Sequence, residues 1–215
     1  MIPLKTFPSE KHLEQISCPL CSDTQERFLF LKSGFRIVRC PHCDLVYVNP
    51  RLTKKASEQL YNRNLISPLH YYQRTRKSDL VTFNKRWKLI EKSIQPGKKG
   101  NVLDVGCNIG TFLEVAKHAG WNCYGLDINR SVAKECKRKG IHFSVSTLEK
   151  AAFPQEFFDV IILNDVIEHT TEFDNLFKDA HRLLKAGGLL FIRTPNIKSL
   201  DFKLFGTNWY MTYMG

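Results

Sequence analysis

The chain has 215 residues, of which 43% are hydrophobic and 25% charged, with a formal net charge of +11. That length suits one large domain, or a medium one with a small companion. No run reaches the roughly 18 apolar residues of a membrane span, and Met1 to Lys5 lacks the apolar stretch of a signal peptide, so a cytoplasmic protein without a membrane span is expected. The charge is lopsided. Residues 1–99 carry 19 Lys+Arg and 8 Asp+Glu, whereas residues 100–215 carry 13 of each. A basic N-terminal half can attract an anionic partner such as nucleic acid, a nucleotide-sugar, an acidic lipid or a polysaccharide. It fits a solvated lysine-rich surface equally well.

Residues 1–17 are polar and suggest no element. Two cysteine pairs follow, Cys18-Pro19-Leu20-Cys21 and Cys40-Pro41-His42-Cys43, eighteen residues apart. This is the spacing of a four-cysteine zinc site. Four thiolates complete a closed tetrahedron, structural rather than catalytic, and with zinc bound they lower the positive excess by two. Disulfides are the alternative, which a reducing compartment disfavours. Phe28–Leu31 and Phe35–Val38, turning at Lys32-Ser33-Gly34, read as ribbon strands, and Leu45–Pro50 as a strand leaving the ribbon. His42 reads as a bystander. The remaining cysteines, Cys107, Cys123 and Cys136, are scattered and give no sign of a secreted disulfide scaffold.

Thr53 can cap a helix from Lys54 to about Tyr61. After Ser67-Pro68, a longer helix is predicted from Leu69 to Ile94. Leu69, Tyr72, Arg76, Leu80, Phe83, Trp87, Ile90 and Ile94 recur at steps of three or four, one helix face. Gln95 to Gly100 ends it and marks a domain boundary.

From residue 100 onward strands and helices alternate. Val102–Val105 ends in a tight turn, Gly106-Cys107-Asn108-Ile109-Gly110, which opens the amphipathic segment Thr111–Ala119: strand, turn, helix, the start of a nucleotide-binding α/β unit. Gly106 and Gly110 allow a ligand close to the backbone, and the new helix points free N–H groups at it. The second strand, Cys123–Asp127, ends in an acid placed to hold a ribose diol. Ser131 can cap a helix to Lys139, closed by Gly140. His142–Ser146 is a third strand. Phe158–Asn164 is a fourth, apolar enough to be buried on both faces. A helix over Glu172–Leu184, ended by Lys185 to Gly188, leads to a fifth strand, Leu189–Thr194. Ligand and chemistry belong at the carboxyl ends of such strands, where Asp104, Asp127 and Asn164-Asp165 fall. Asp104, in the turn itself, would repel a pyrophosphate and attract a cation. S-adenosylmethionine, with an amine, a sulfonium and a ribose but no phosphate, fits better than a dinucleotide.

These residues resemble the class I S-adenosylmethionine-dependent methyltransferases: the acid-and-glycine turn (with Asn108 where a middle glycine is usual), Asp165-Val166-Ile167-Glu168-His169, and Leu183-Leu184-Lys185-Ala186-Gly187-Gly188. The cysteine ribbon followed by Asn49-Pro50 and a tyrosine-bearing helix is similar to members acting on sugars, polysaccharides or secondary metabolites. Glu168-His169 and Thr194-Pro195-Asn196 are similar to quinone O-methyltransferases. The resemblance implies a Rossmann-like, doubly wound parallel sheet. It divides the chain into a zinc ribbon (1–50), a helical linker and cofactor lid (51–99) and a methyltransferase core (100–215). It implies S-adenosylmethionine held by Asp104, Gly106, Cys107, Gly110, Asp127, Ile128, Asn164 and Asp165, with the adenine near Thr147 and Leu148. Tyr72 or Arg76 would meet the cofactor's carboxylate; for Arg76 a packed stem with its head at the rim is the equal alternative.

His169, just past the fourth strand, is the candidate proton acceptor. Asp165 or Glu168 could orient it; capping or buttressing the loop is the alternative role. The expected reaction is methylation, by preference on oxygen, of a small-molecule or sugar-type acceptor that can be anionic. An RNA methyltransferase using the basic half ranks second, a cofactor-binding scaffold third. The family adds a helix and two strands after the fifth strand, for which Ile197 to Gly215 are too few. A truncated core is therefore expected, with an exposed fifth-strand edge open to a partner or a second copy.

Overall fold

A computed structural model describes residues 10–60, 69–95 and 97–209. Tyr61, Ser67, Pro68 and Pro96, invoked above, lie outside the described residues. The chain forms two compact units, one of residues up to Ile66 together with those from Pro195, the other Ser67–Thr194.

In the first unit, β1 (Leu13–Glu14) pairs antiparallel with β5 (Arg51–Leu52). Between them, β2 (Arg27–Lys32), β3 (Phe35–Arg39) and β4 (Val46–Val48) form a three-stranded antiparallel sheet. The two cysteine turns are built alike. Cys18 N–H donates to Asp23 O and Cys40 N–H to Leu45 O; Ser22 N–H returns to Cys18 O and Asp44 N–H to Cys40 O. Ser22 and Asp44 both sit at positive φ, 62° and 65°. Two copies of one knuckle thus face each other. The buried Asn49 side chain ties the strand exit back to both Ile16 backbone groups. Helix α1 (Lys54–Leu60) follows, with Thr53 Oγ1 accepting from Ala56 N–H. At the other end of the chain, α6 (Leu200–Phe205) belongs to this unit: Ser199 caps it, Phe202 stacks on Phe30 with ring centres 6.1 Å apart, and Lys198 pairs with Asp44.

The second unit opens with α2 (Leu69–Lys92). It continues through β6 (Asn101–Val105), α3 (Thr111–His118), β7 (Asn122–Asp127), α4 (Ala133–Arg138), β8 (His142–Val145), β9 (Phe158–Asn164), α5 (Phe173–Leu183) and β10 (Leu184–Arg193). The five strands pair in parallel in the order β10-β9-β6-β7-β8. Six of the seven residues of β9 are buried, as expected of a central strand covered on both faces. One core layer lies under α2 and α3. Phe112 stacks on Phe83 with ring centres 4.7 Å apart and meets Trp87 and Phe191 edge-on. The other layer gathers Leu103, Leu126, Phe158, Ile161 and Leu183.

The doubly wound parallel sheet stands as expected, with the fifth strand at the sheet's edge. Several details differ. The turn after Asp127 is capped by Asn129, whose side chain accepts from Ser131 N–H, and α4 begins only at Ala133; the Ser131 hydroxyl donates to the same Asn129 oxygen and so does not cap α4 itself. Helix α2 stops at Lys92, two residues before the expected Ile94. Strand β10 begins at Leu184, with an irregularity before Leu189 where Gly187 takes a φ of 72°. The units also divide at other places than 50 and 99. Helix α2 joins the parallel sheet because its aromatic face packs on α3, and residues 195–209 join the cysteine unit through Phe202 and Lys198.

Candidate functional site

Strand β6 ends in the site's central acid. Asp104 is 4% exposed, and among the described residues nothing donates a hydrogen bond to its carboxylate. Burial, reinforced by the negative charge of Asp127, pushes its pKa well above the usual carboxylate range. Next comes the turn. Gly106 takes a φ of 71°, and a Cβ there would come within 3.1 Å of Val166, so glycine is what lets the turn pass under the loop after β9. Asn108, in the usual place of a glycine, also has positive φ, 51°, which an asparagine tolerates.

Asp127 holds that turn in place. One of its carboxylate oxygens accepts from Asn108 N–H and the other from Asn129 N–H, both at 2.8 Å. Burial raises its pKa, and these backbone bonds partly oppose the rise. Ile128 N–H is a third backbone partner, so of about four lone-pair sites on a carboxylate most are taken by the backbone and the remainder is left for a ligand.

A cleft of about 240 Å³ lies over the turn, within this unit. Its floor is Asp104, Gly106, Cys107, Asn108, Ile109, Thr111 and Phe112; Asn164 and Asp165 form one wall, and Tyr71, Tyr72, Thr75, Asp79 and Phe83 of α2 the other. Asp165 sits at a φ of 58°, is ion-paired with Arg193 and accepts from the Asn164 amide, while Arg86 on α2 donates to Asn164. A second cavity of about 260 Å³, at the amino ends of the strands, includes Asp159. That acid is already paired with Lys98 and Lys185, so the cavity presents no uncompensated buried acid like Asp104.

Of the residues singled out in the sequence, the cleft brings together Tyr72, Asp104, Gly106, Cys107, Asn164 and Asp165. Arg76 is elsewhere. It pairs with Glu114, which Lys139 also holds at 3.0 Å while donating to Ile109 O in the turn. Arg76 thereby fastens α2 to the far side of the turn. Gly110 packs inward: a Cβ there would meet Ile141 at 2.4 Å. Ile128 is 45% exposed beyond Asp127, Thr147 is exposed, and Leu148 belongs to the core. His169 follows β9 outside the cleft lining. His169 is exposed, and partial desolvation lowers its pKa from the ordinary histidine value, against the opposing charge of Asp165. The sequence reading missed Thr75, Asp79, Ile109, Thr111 and Phe112. Asp79 stands one residue before Leu80 of the apolar stripe, and only its placement over the turn marks it.

In the other unit, the ligand atoms of Cys18, Cys21, Cys40 and Cys43 all lie within 4.8 Å of one another. Cys18 and Cys43 approach to 3.5 Å, as do Cys21 and Cys40. A tetrahedron with metal–sulfur bonds of about 2.3 Å has sulfurs about 3.8 Å apart, so this donor set fits one zinc ion.

The parallel sheet, with the glycine turn and two buried acids at the carboxyl ends of β6 and β7, makes this a doubly wound α/β domain with its cleft where such folds bind ligands. The methyltransferase domain family model matches residues 70–215. The chain belongs to that family, as a class I S-adenosylmethionine-dependent methyltransferase. A ubiquinone biosynthesis O-methyltransferase of Pelagibacter ubique is 29% identical over 173 residues, 74% of this chain and 70% of its own. A phosphoethanolamine N-methyltransferase of Zea mays is 31% identical over 131 residues, 54% of this chain and 25% of its own. The solved S-adenosylmethionine-dependent methyltransferase of Archaeoglobus fulgidus shares the fold with a TM-score of 0.52, at 24% identity, over 62% of each chain. The chain therefore spans less than two thirds of that solved protein. No described helix is long and apolar enough to cross a membrane.

Proposed function

We propose that this chain methylates a hydroxyl of a small-molecule acceptor, quinol-like or sugar-like, at the cleft over the β6 turn. The observation that carries the reading is Asp104: a buried carboxylate with no donor among the described residues, lining the cleft, calls for a cation. S-adenosylmethionine supplies one, together with a methyl group on sulfur that an acceptor oxygen can attack. In this reading Asp104 takes the cofactor's cationic end, the Gly106–Asn108 backbone lies beneath it, and the remaining lone pairs of Asp127 accept the ribose hydroxyls. Ile128, Thr147 and Leu148 border the adenine. The relatives named as O-methyltransferases support oxygen as the acceptor atom. The cleft's task is to align acceptor, methyl and sulfur and to exclude water.

We assign a structural zinc ion to Cys18, Cys21, Cys40 and Cys43, on the fit of their spacing. Zinc thiolates suit a reducing compartment, the cytoplasm in the simplest case. His169 is the proposed proton acceptor: desolvation favours its neutral imidazole, against the charge of Asp165.

Calorimetry should show S-adenosylhomocysteine binding one to one and NAD not binding; no binding, or equal binding of NAD, contradicts the cleft assignment. In the full-length enzyme with its acceptor, the rate should rise with pH through a pKa below 6.5 as His169 becomes a neutral base. His169→Gln should remove that limb and slow the reaction by roughly 10²-fold; an unchanged rate and profile make His169 structural. Elemental analysis should find one zinc per chain, and chelation should melt β2–β4 first, since the ribbon has little core without its ion. Zinc-free, fully folded protein contradicts the metal site.

A further inference from the structure

The cleft has a second carboxylate with spare capacity, on the lid rather than the floor. Asp79 of α2 lines it together with Asp104. Thr75, one turn earlier, donates its hydroxyl to Asp79 Oδ2 at 2.7 Å, and among the described residues nothing donates to the other oxygen. The third cleft acid, Asp165, is already paired with Arg193.

Contacts made by its helix neighbours fix where Asp79 stands. Arg76, three residues before it, reaches Glu114 in the first turn of α3. Phe83, four residues after it, stacks flat on Phe112 in the same turn of α3. Asp79 therefore lies between two contacts to the first turn of α3, and it lines the cleft together with Ile109 and Thr111 of the turn and the amino end of α3. An amino-acid zwitterion has the chemistry for this place. Its carboxylate suits the free N–H groups of a helix amino terminus, and its ammonium suits carboxylates on either side.

Resting on the assignment of this cleft to S-adenosylmethionine, we propose that Asp79 is a cofactor-binding residue. Asp79 and Asp104 together clasp the ammonium group of the cofactor's methionine part, and Thr75 holds the Asp79 carboxylate toward it. This makes α2 more than a cover. Its acid reads the amino-acid end of the ligand, so a nucleoside thioether lacking that end loses the contact entirely.

The test compares two ligands by calorimetry on the whole chain: S-adenosylhomocysteine, and 5′-methylthioadenosine, which keeps the adenosine and the thioether but has no amino-acid group. Asp79→Asn should weaken S-adenosylhomocysteine about tenfold and leave 5′-methylthioadenosine unchanged. Asp79→Glu, which keeps the charge, should hold the ratio of the two affinities within about threefold of the parent. This variant also decides the matter if Asp79→Asn does not fold. Equal weakening of both ligands by Asp79→Asn, no weakening of either, or a ratio lost in Asp79→Glu overturns the proposal. Failure of the parent chain to bind S-adenosylhomocysteine would instead overturn the cleft assignment.

Discussion

The second unit depends on burying two carboxylates under one turn. Asp104 and Asp127 are 4% and 8% exposed, and burial raises the pKa of both. For Asp104 the cost is not offset within the described protein. A group whose pKa is raised on folding contributes its stability at low pH and loses it as pH rises through the raised value. The unliganded domain is therefore penalised near neutrality by its own site, a common sign of function. Asp127 is different in kind. Two of its backbone hydrogen bonds fix the turn at Asn108 and the cap at Asn129, so the same acid that is expected to hold the ribose also shapes the floor beneath it.

The lid is fastened by contacts that leave the cleft open between them. Arg76, Glu114 and Lys139 tie α2, α3 and the Ile109 carbonyl into one polar cluster. Phe83, Trp87, Phe112 and Trp121 form the aromatic counterpart. Residues between these anchors on α2 are carried over the turn without having to make the docking contacts themselves. Asp79 is so placed, and Tyr72 and Thr75, in the turn before Arg76, line the same cleft.

Local patterns were legible in the sequence. The strand–turn–helix at Val102–Ala119, the cysteine knuckles and the buried β9 each declare themselves within ten residues or so, because turn chemistry and hydrophobic period act at that range. What was not legible depends on partners distant along the chain. Arg76 was placed on the right helix face, but its target, Glu114, lies 38 residues away. Gly110 read as a ligand-facing glycine, whereas Ile141 needs the space. The grouping of Phe202 with Phe30 joins the two ends of the chain across a domain between them, which no periodicity reports. Asp79 was hidden by the apolar stripe beside it.

The central claim is that Asp104 lacks a counter-charge until a cationic cofactor arrives. Its carboxyl carbon can be followed by ¹³C NMR across a pH titration, with the resonance identified by its loss in Asp104→Asn, before and after saturation with S-adenosylhomocysteine. The account predicts a pKa well above the usual carboxylate range in the free chain and a marked fall once the ligand's ammonium group is in place. An ordinary pKa in the free chain, or one that ligand binding leaves unchanged, would contradict it.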